Sequence, residues 1–292
     1  MAARRSGREV DTRLLLAPAV ATLLVWMIVP LAMTLWFSFQ RYNLLNPFVT
    51  GFAGWENYRY LLSTPALPTA LVNTLLLVGG VLLITVVLGT ALAVLFDQEF
   101  VGRPVARLLV IAPFFVMPTV SALIWKNMLM HPVNGLFAWI SRSLGMTPVD
   151  WFAEAPLLSI VLIVAWQWTP FATLILLTAL QSLDQEQKEA ARIDGAGPFS
   201  MFAFIVLPHL GRAISIVVMI QTIFFLTIFA EIFVTTSGGP GLASTNLAYL
   251  IYIKALLEFD VGGASAGGVI AIVLANVVAI FLVRTVARNL ED

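Results

Sequence analysis

The polar residues of this chain are few enough to be weighed one by one for the chemistry they permit. Its two histidines, His131 and His209, lie far apart and outside any H-E-x-x-H pattern, so no zinc-hydrolase site and no metal are expected. None of the three lysines, Lys126, Lys188 and Lys254, follows a glycine, which rules out a P-loop; ATP, if it drives this protein, is bound by another chain. There is no cysteine, hence no disulfide, thiolate metal site or thiol nucleophile. Beyond the first and last three residues of the long apolar stretches the charges are Lys126 and Glu231, whereas an ion-coupled carrier usually holds more intramembrane carboxylates. What remains is aromatic and amide. Trp166, Gln167 and Trp168 punctuate one stretch; Gln221, Phe224, Phe225 and Glu231 lie in another. Gln221, Phe224, Ile228 and Glu231 are spaced by three, four and three residues, which predicts one broad helix face. Aromatic faces with a few amides suit a neutral polyhydroxy ligand, since every buried polar group left unpaired is costly. The competing reading is helix packing, with Gln221 as an interhelical hydrogen bond and Glu231 reaching toward lipid headgroups.

The elements that position these residues follow from composition. Of 292 residues, 60% are hydrophobic and 11% charged, and the mean hydropathy is +0.95. Such a chain cannot cover itself with a polar surface. Apolar runs of bilayer-crossing length predict six transmembrane helices, at Leu14–Phe37, Leu71–Phe96, Val105–Met130, Pro156–Leu180, Ala213–Thr235 and Ala264–Val286. Two-residue alternation is absent, against a membrane β-barrel. The fold class is therefore an all-α polytopic membrane protein, with the first span retained as an anchor. Pro113 and Pro118 are expected to break the third span and free backbone groups at mid-depth.

Basic residues set the direction. With both termini cytoplasmic, eleven lie inside (Arg4, Arg5, Arg8, Arg13, Arg103, Arg107, Lys188, Arg192, Arg212, Arg284 and Arg288) against five outside (Arg41, Arg59, Lys126, Arg142 and Lys254). Residues 1–13 then form a cytoplasmic segment and 14–292 a single transmembrane domain, since no linker divides the chain. Trp55, Tyr58, Trp139 and Trp151, in the outer loops, read as interfacial anchors. Equal numbers of acidic and basic residues give no pointer to nucleic acid.

The densest local signal lies in the cytoplasmic loop, residues 182–212. Asp184 with Gln187 three residues on predicts a capping box and a helix start. Lys188 and Arg192 stand four apart on one face, Glu189 and Ile193 on the next. Ala190 and Ala191 keep the helix surface low. Gly195 supplies a left-handed stop, Pro198 opens a second helix, and Leu207-Pro208 is expected to interrupt the chain before span five. The product is a helix–turn–helix outside the membrane, either an interfacial hairpin on headgroups or a docking element for another protein.

At these residues the chain resembles the binding-protein-dependent ABC importer permeases. Glu189-Ala190-Ala191, Asp194-Gly195-Ala196 and Ile205-Val206-Leu207-Pro208 match the EAA loop of that family in order and spacing. Phe52–Tyr58, Asn73-Thr74-Leu75, Thr236–Pro240 and Tyr249–Tyr252 are similar to its carbohydrate-uptake branch. The resemblance implies a type I importer transmembrane domain whose loop is a coupling helix, with Glu189 as the charged contact and Gly195 at the turn. It implies a second homologous permease, two ATPase subunits holding ATP and Mg, an extracytoplasmic binding protein and a bacterial inner membrane, with neither catalysis nor a cofactor in this chain. The ending Ala287–Asp292 departs from the Gly-Leu-Thr-Ala-Gly-Ala-Val-Lys-Gly-like tail of one partner type, so the chain is similar to the other. The large outer insertion of some maltose permeases is also lacking. The solute implied is a neutral sugar or a polyol, a hexitol such as sorbitol or mannitol first. The alternative is an ion-coupled secondary carrier.

Overall fold

The computed structural model describes residues 12–291; the expected segment 1–13 lies outside them apart from its last two residues, as do the side chains of Ala287–Asp292. Helix α1 is Thr12–Ser38, α2 Ala66–Asp97, α3 Arg103–Phe115, α4 Pro118–Leu129 and α5 Pro156–Gln181. After a short helix α6, Gln185–Ile193, come α7 Pro198–Phe225, α8 Ala230–Thr235, α9 Leu247–Leu257 and α10 Val261–Glu291. Short helices Glu56–Ser63, Leu136–Ser143 and Trp151–Glu154 sit in the loops, with a two-stranded ribbon pairing Gln40 with Phe52 and Arg41 with Gly51. Among the described residues five helices are long and apolar enough to cross a membrane, or six with the bent pair α3–α4 taken as one span.

The core is built on α2 against α5. Leu77, Val81, Ile160, Val164 and Phe225 are buried together there, and Gly89 lets the two backbones approach. A Cβ at Gly89 would lie 2.8 Å from that of Ala172, closer than such carbons pack. Helix α1 packs beside α10 and turns apolar side chains such as Trp26 and Met27 outward. A surface of that kind needs lipid or protein cover.

The break expected in the third span is present, and two other expectations need correction. The third span bends by 109° between Phe115 and Pro118, because Pro118 cannot donate to the preceding turn and Val116 and Met117 are extended. The fifth span is not Ala213–Thr235: its helix begins at Pro198 and stops at Phe225. Leu207-Pro208 does not interrupt it. A wide π-helical stretch, Phe202–Val206, precedes Pro208 and places its missing N–H in the first turn of the following α-helical segment, where no donor is needed. Residues 198–212 therefore belong to α7, and the loop proper is 182–197.

Candidate functional site

Two places gather the expected residues. At the first, Asp184 caps α6, its carboxylate accepting from Glu186 N–H at 2.9 Å, one residue earlier than a capping box with Gln187 requires. The helix ends as the spacing predicts. Gly195 has φ +86°, its N–H donates to Arg192 O at 3.1 Å, and Ala196 N–H donates to Ala191 O at 2.9 Å. This is a Schellman closure, for which glycine is the favoured residue. Glu189, Ala190, Asp194 and Gly195 are exposed and Ala191 half-buried, while Leu207 and Pro208 lie on the exposed side of α7. Ile193 is 86% exposed and Phe199, just beyond the turn, 80%. Lys188 and Arg192 lie four apart on one helix, as the spacing predicts, but their surroundings differ. Arg192 is exposed, but Lys188 is buried, its Nζ 2.9 Å from Asp97 Oδ2 at the end of α2. Sequence reasoning missed this pair because it spans 91 residues.

At the second place span five breaks, between Phe225 and Ala230. A carbonyl freed there, that of Ile228, finds a polar side chain from another element, one way irregular backbone is satisfied among membrane helices. Asn246 Nδ2 donates to Ile228 O at 2.6 Å while its Oδ1 accepts from Tyr249 N–H at 2.8 Å, capping α9. Lys126 Nζ donates to Val234 O at 3.0 Å and Thr235 O at 2.8 Å, closing the C-terminal end of α8. Asn73 holds Leu242 O and Thr245 O, each at 2.9 Å. Asn246 was legible as a possible cap before Leu247, but its bond across the break was not.

The residues expected along a solute path do not form one face. Phe224, 52% exposed, packs at a tilt against Trp168 with ring centroids 5.0 Å apart, and Thr227 beside it is exposed. Phe229, Phe233 and Tyr252 form an aromatic group across the break, Phe229 and Tyr252 4.9 Å apart. Phe225 and Gln221 are fully buried. Gln221 Oε1 accepts from Thr85 Oγ1 at 2.8 Å and its Nε2 donates to Trp168 O at 3.2 Å, so its amide joins α2, α5 and α7 as the packing reading holds. Glu231 is on α8, past the break, and 4% exposed: it neither shares a face with Gln221 nor reaches for headgroups. It lies in the first turn of α8, where the helix dipole favours a carboxylate. Trp166 and Gln167 serve the other bend. Gln167 Nε2 donates to Val116 O at 2.6 Å, and Trp166 packs edge-on to Trp125, 5.8 Å away. With Pro113, Leu162, Thr169 and Pro170 these two tryptophans line an apolar cleft of about 410 Å³. The string Gly263-Ala264-Ser265-Ala266-Gly267 has the letters of a nucleophile elbow but lies inside α10, without the strand-to-helix turn that would expose its serine. No group of three or more His, Cys, Asp or Glu is disposed to hold a metal among the described residues.

This geometry has known counterparts. Residues 86–292 match the family described as binding-protein-dependent transport system inner membrane component. The chain is 34% identical over 254 residues to the trehalose/maltose transport system permease protein MalF of Thermococcus litoralis, covering 86% of this chain and 85% of that one. It is 30% identical over 288 residues to the sn-glycerol-3-phosphate transport system permease protein UgpA of Pectobacterium atrosepticum, covering 95% and 94%. Among solved structures, a bacterial alginate ABC transporter in complex with alginate pentasaccharide-bound periplasmic protein superposes with a TM-score of 0.77 at 22% identity, over 93% of this chain and 92% of that one.

Proposed function

The chain belongs to the family of binding-protein-dependent transport system inner membrane components, as a non-catalytic permease subunit of an ABC importer, and on that premise we propose that residues 184–197 are the segment that docks on the ATPase chains. It is a multi-pass protein of the inner membrane. An ion-coupled carrier is set aside with that membership. One observation carries the docking reading: α6 leaves Glu189, Ala190 and Ile193 exposed together, with Phe199 exposed just beyond the turn, so that this segment offers both acid and apolar surface. A partner with a basic cleft fits that chemistry, and covering an apolar side chain of this size contributes about 1.5–3 kcal/mol. In this reading Gly195 shapes the turn, both termini are cytoplasmic, and the complex holds a second homologous permease, two ATPase subunits binding ATP and Mg, and an extracytoplasmic binding protein. The test is Glu189→Lys. Membrane insertion is expected unchanged and copurification of the ATPase reduced; equal copurification would remove the assignment.

The solute we propose is a neutral sugar or polyol, a hexitol such as sorbitol or mannitol first, passing the span-five break by alternating access. Support comes from exposed Phe224 and Thr227 beside half-buried Trp168 and from the trehalose/maltose relative. Gln221 and Phe225 back Trp168 rather than present to the solute, Glu231 is buried in α8, and Trp166 and Gln167 support the other bend. Thermal shift of the binding protein encoded beside this chain, with sorbitol, mannitol, trehalose and sn-glycerol 3-phosphate, decides among them. Stabilisation by the phosphate ester alone would overturn the neutral-solute reading.

A further inference from the structure

We propose that the ion pair of buried Lys188 with half-buried Asp97 is the linkage through which α6 moves the membrane bundle, which makes Lys188 and Asp97 positioning residues of the transport cycle. The proposal rests on the reading of α6 as the ATPase-docking helix and adds how its displacement is handed on.

Helix α6 is nine residues long, and Lys188 is its one buried side chain. Lysine is among the side chains least often buried. Here it is 7% exposed, and its ammonium lies 2.9 Å from Asp97. The face that makes this contact is buried while Glu189, Ala190 and Ile193 stay exposed, so α6 can hold Asp97 and a partner at the same time.

Asp97 is the last residue of α2. An acid at a helix C-terminus faces the negative end of the dipole and is unfavourable there unless a cation answers it. Two cations converge on this end: Arg107 Nη2 donates to Phe96 O at 2.6 Å, and Lys188 takes Asp97. Neither the acid at that terminus nor the lysine turned inward from a solvated helix is explained alone. Together they form a joint.

Helix α2 is suited to carry what the joint delivers. Its 32 residues make a rod about 48 Å long. Along it, Thr85 bonds Gln221 on α7, one turn before the break, and Asn73 and Thr74 bond Leu242, Thr245 and Leu247 beyond it. A pull on Asp97 therefore reaches both sides of the span-five break through polar contacts of one helix.

The test uses the complete complex with its partner permease, ATPase and binding protein. Because the chain has no cysteine, one placed at Thr227 reports the break alone through its labelling rate with a membrane-impermeant maleimide, with and without ATP plus vanadate. The wild-type background is expected to change its rate on trapping. Asp97→Asn is expected to keep ATPase copurification and basal hydrolysis but to reduce the ATP-dependent change roughly threefold or more. The exchanged pair, Asp97→Lys with Lys188→Asp, is expected to restore it. An unchanged response in Asp97→Asn, a rate at Thr227 indifferent to ATP in the wild type, or failure of the exchanged pair to restore would each overturn the linkage. So would loss of copurification in Asp97→Asn, which would make the pair a support of the docking surface. The docking reading fails separately, if Glu189→Lys copurifies normally.

Discussion

The turn after α6 and the break in span five both depart from regular helix, yet they satisfy their backbone in opposite ways. The turn closes on itself: Gly195 and Ala196 donate to Arg192 and Ala191, within five residues, and Glu189, Ile193 and Phe199 around it stay exposed. The break borrows from a distance, from Asn246, and the segment after it from Lys126, 109 residues away from Thr235. A segment that serves a partner can be locally complete and outwardly exposed. A segment packed among membrane helices has no bulk water to complete it, so the surrounding helices must supply amides and ammonium groups there.

The sharpest way to break this contrast is Asn246→Leu. It strips partners from Ile228 O and Tyr249 N–H, both buried, and is expected to cost about 3 kcal/mol. Thermal unfolding of the detergent-solubilised complex measures it; a loss below about 1 kcal/mol would mean that the break does not depend on borrowed donors. Gly195→Val should cost about 1–2 kcal/mol locally, through positive φ alone, because nothing lies within 4 Å of a Cβ there. Its expected outcome is weaker ATPase copurification with normal membrane insertion, and wild-type copurification would show that the turn tolerates a branched residue. A smaller effect is expected between α2 and α7. In a double-mutant cycle of Thr85→Val and Gln221→Met the coupling should be about 1 kcal/mol; zero coupling would reduce Gln221 to space-filling. Least of all, Glu56→Gln should shift stability by no more than about 0.5 kcal/mol, because the Arg41–Glu56 pair is more than half exposed on both sides. A larger shift, read in the same unfolding assay, would indicate that the outer ribbon is coupled to the bundle.

What the sequence alone determined is the part written in neighbouring residues. Apolar runs of bilayer length set the spans, Pro113 and Pro118 the bend of span three, and Asp184 and Gly195 the two ends of α6, because caps and left-handed turns act within one helical turn. The tertiary structure decided the rest. The spacing of Gln221, Phe224, Ile228 and Glu231 promised one face only while the helix continued, and it stops at Phe225. Gln167 and Gln221 carry the same amide as a sugar-binding residue would, and only their partners, Val116, Thr85 and Trp168, assign them to packing. Lys188 and Arg192 are equivalent by helical period, yet the end of α2 lies against one of them and not the other. Periodicity specifies direction around an axis, whereas the burial of a polar group depends on which distant chain supplies its hydrogen bond.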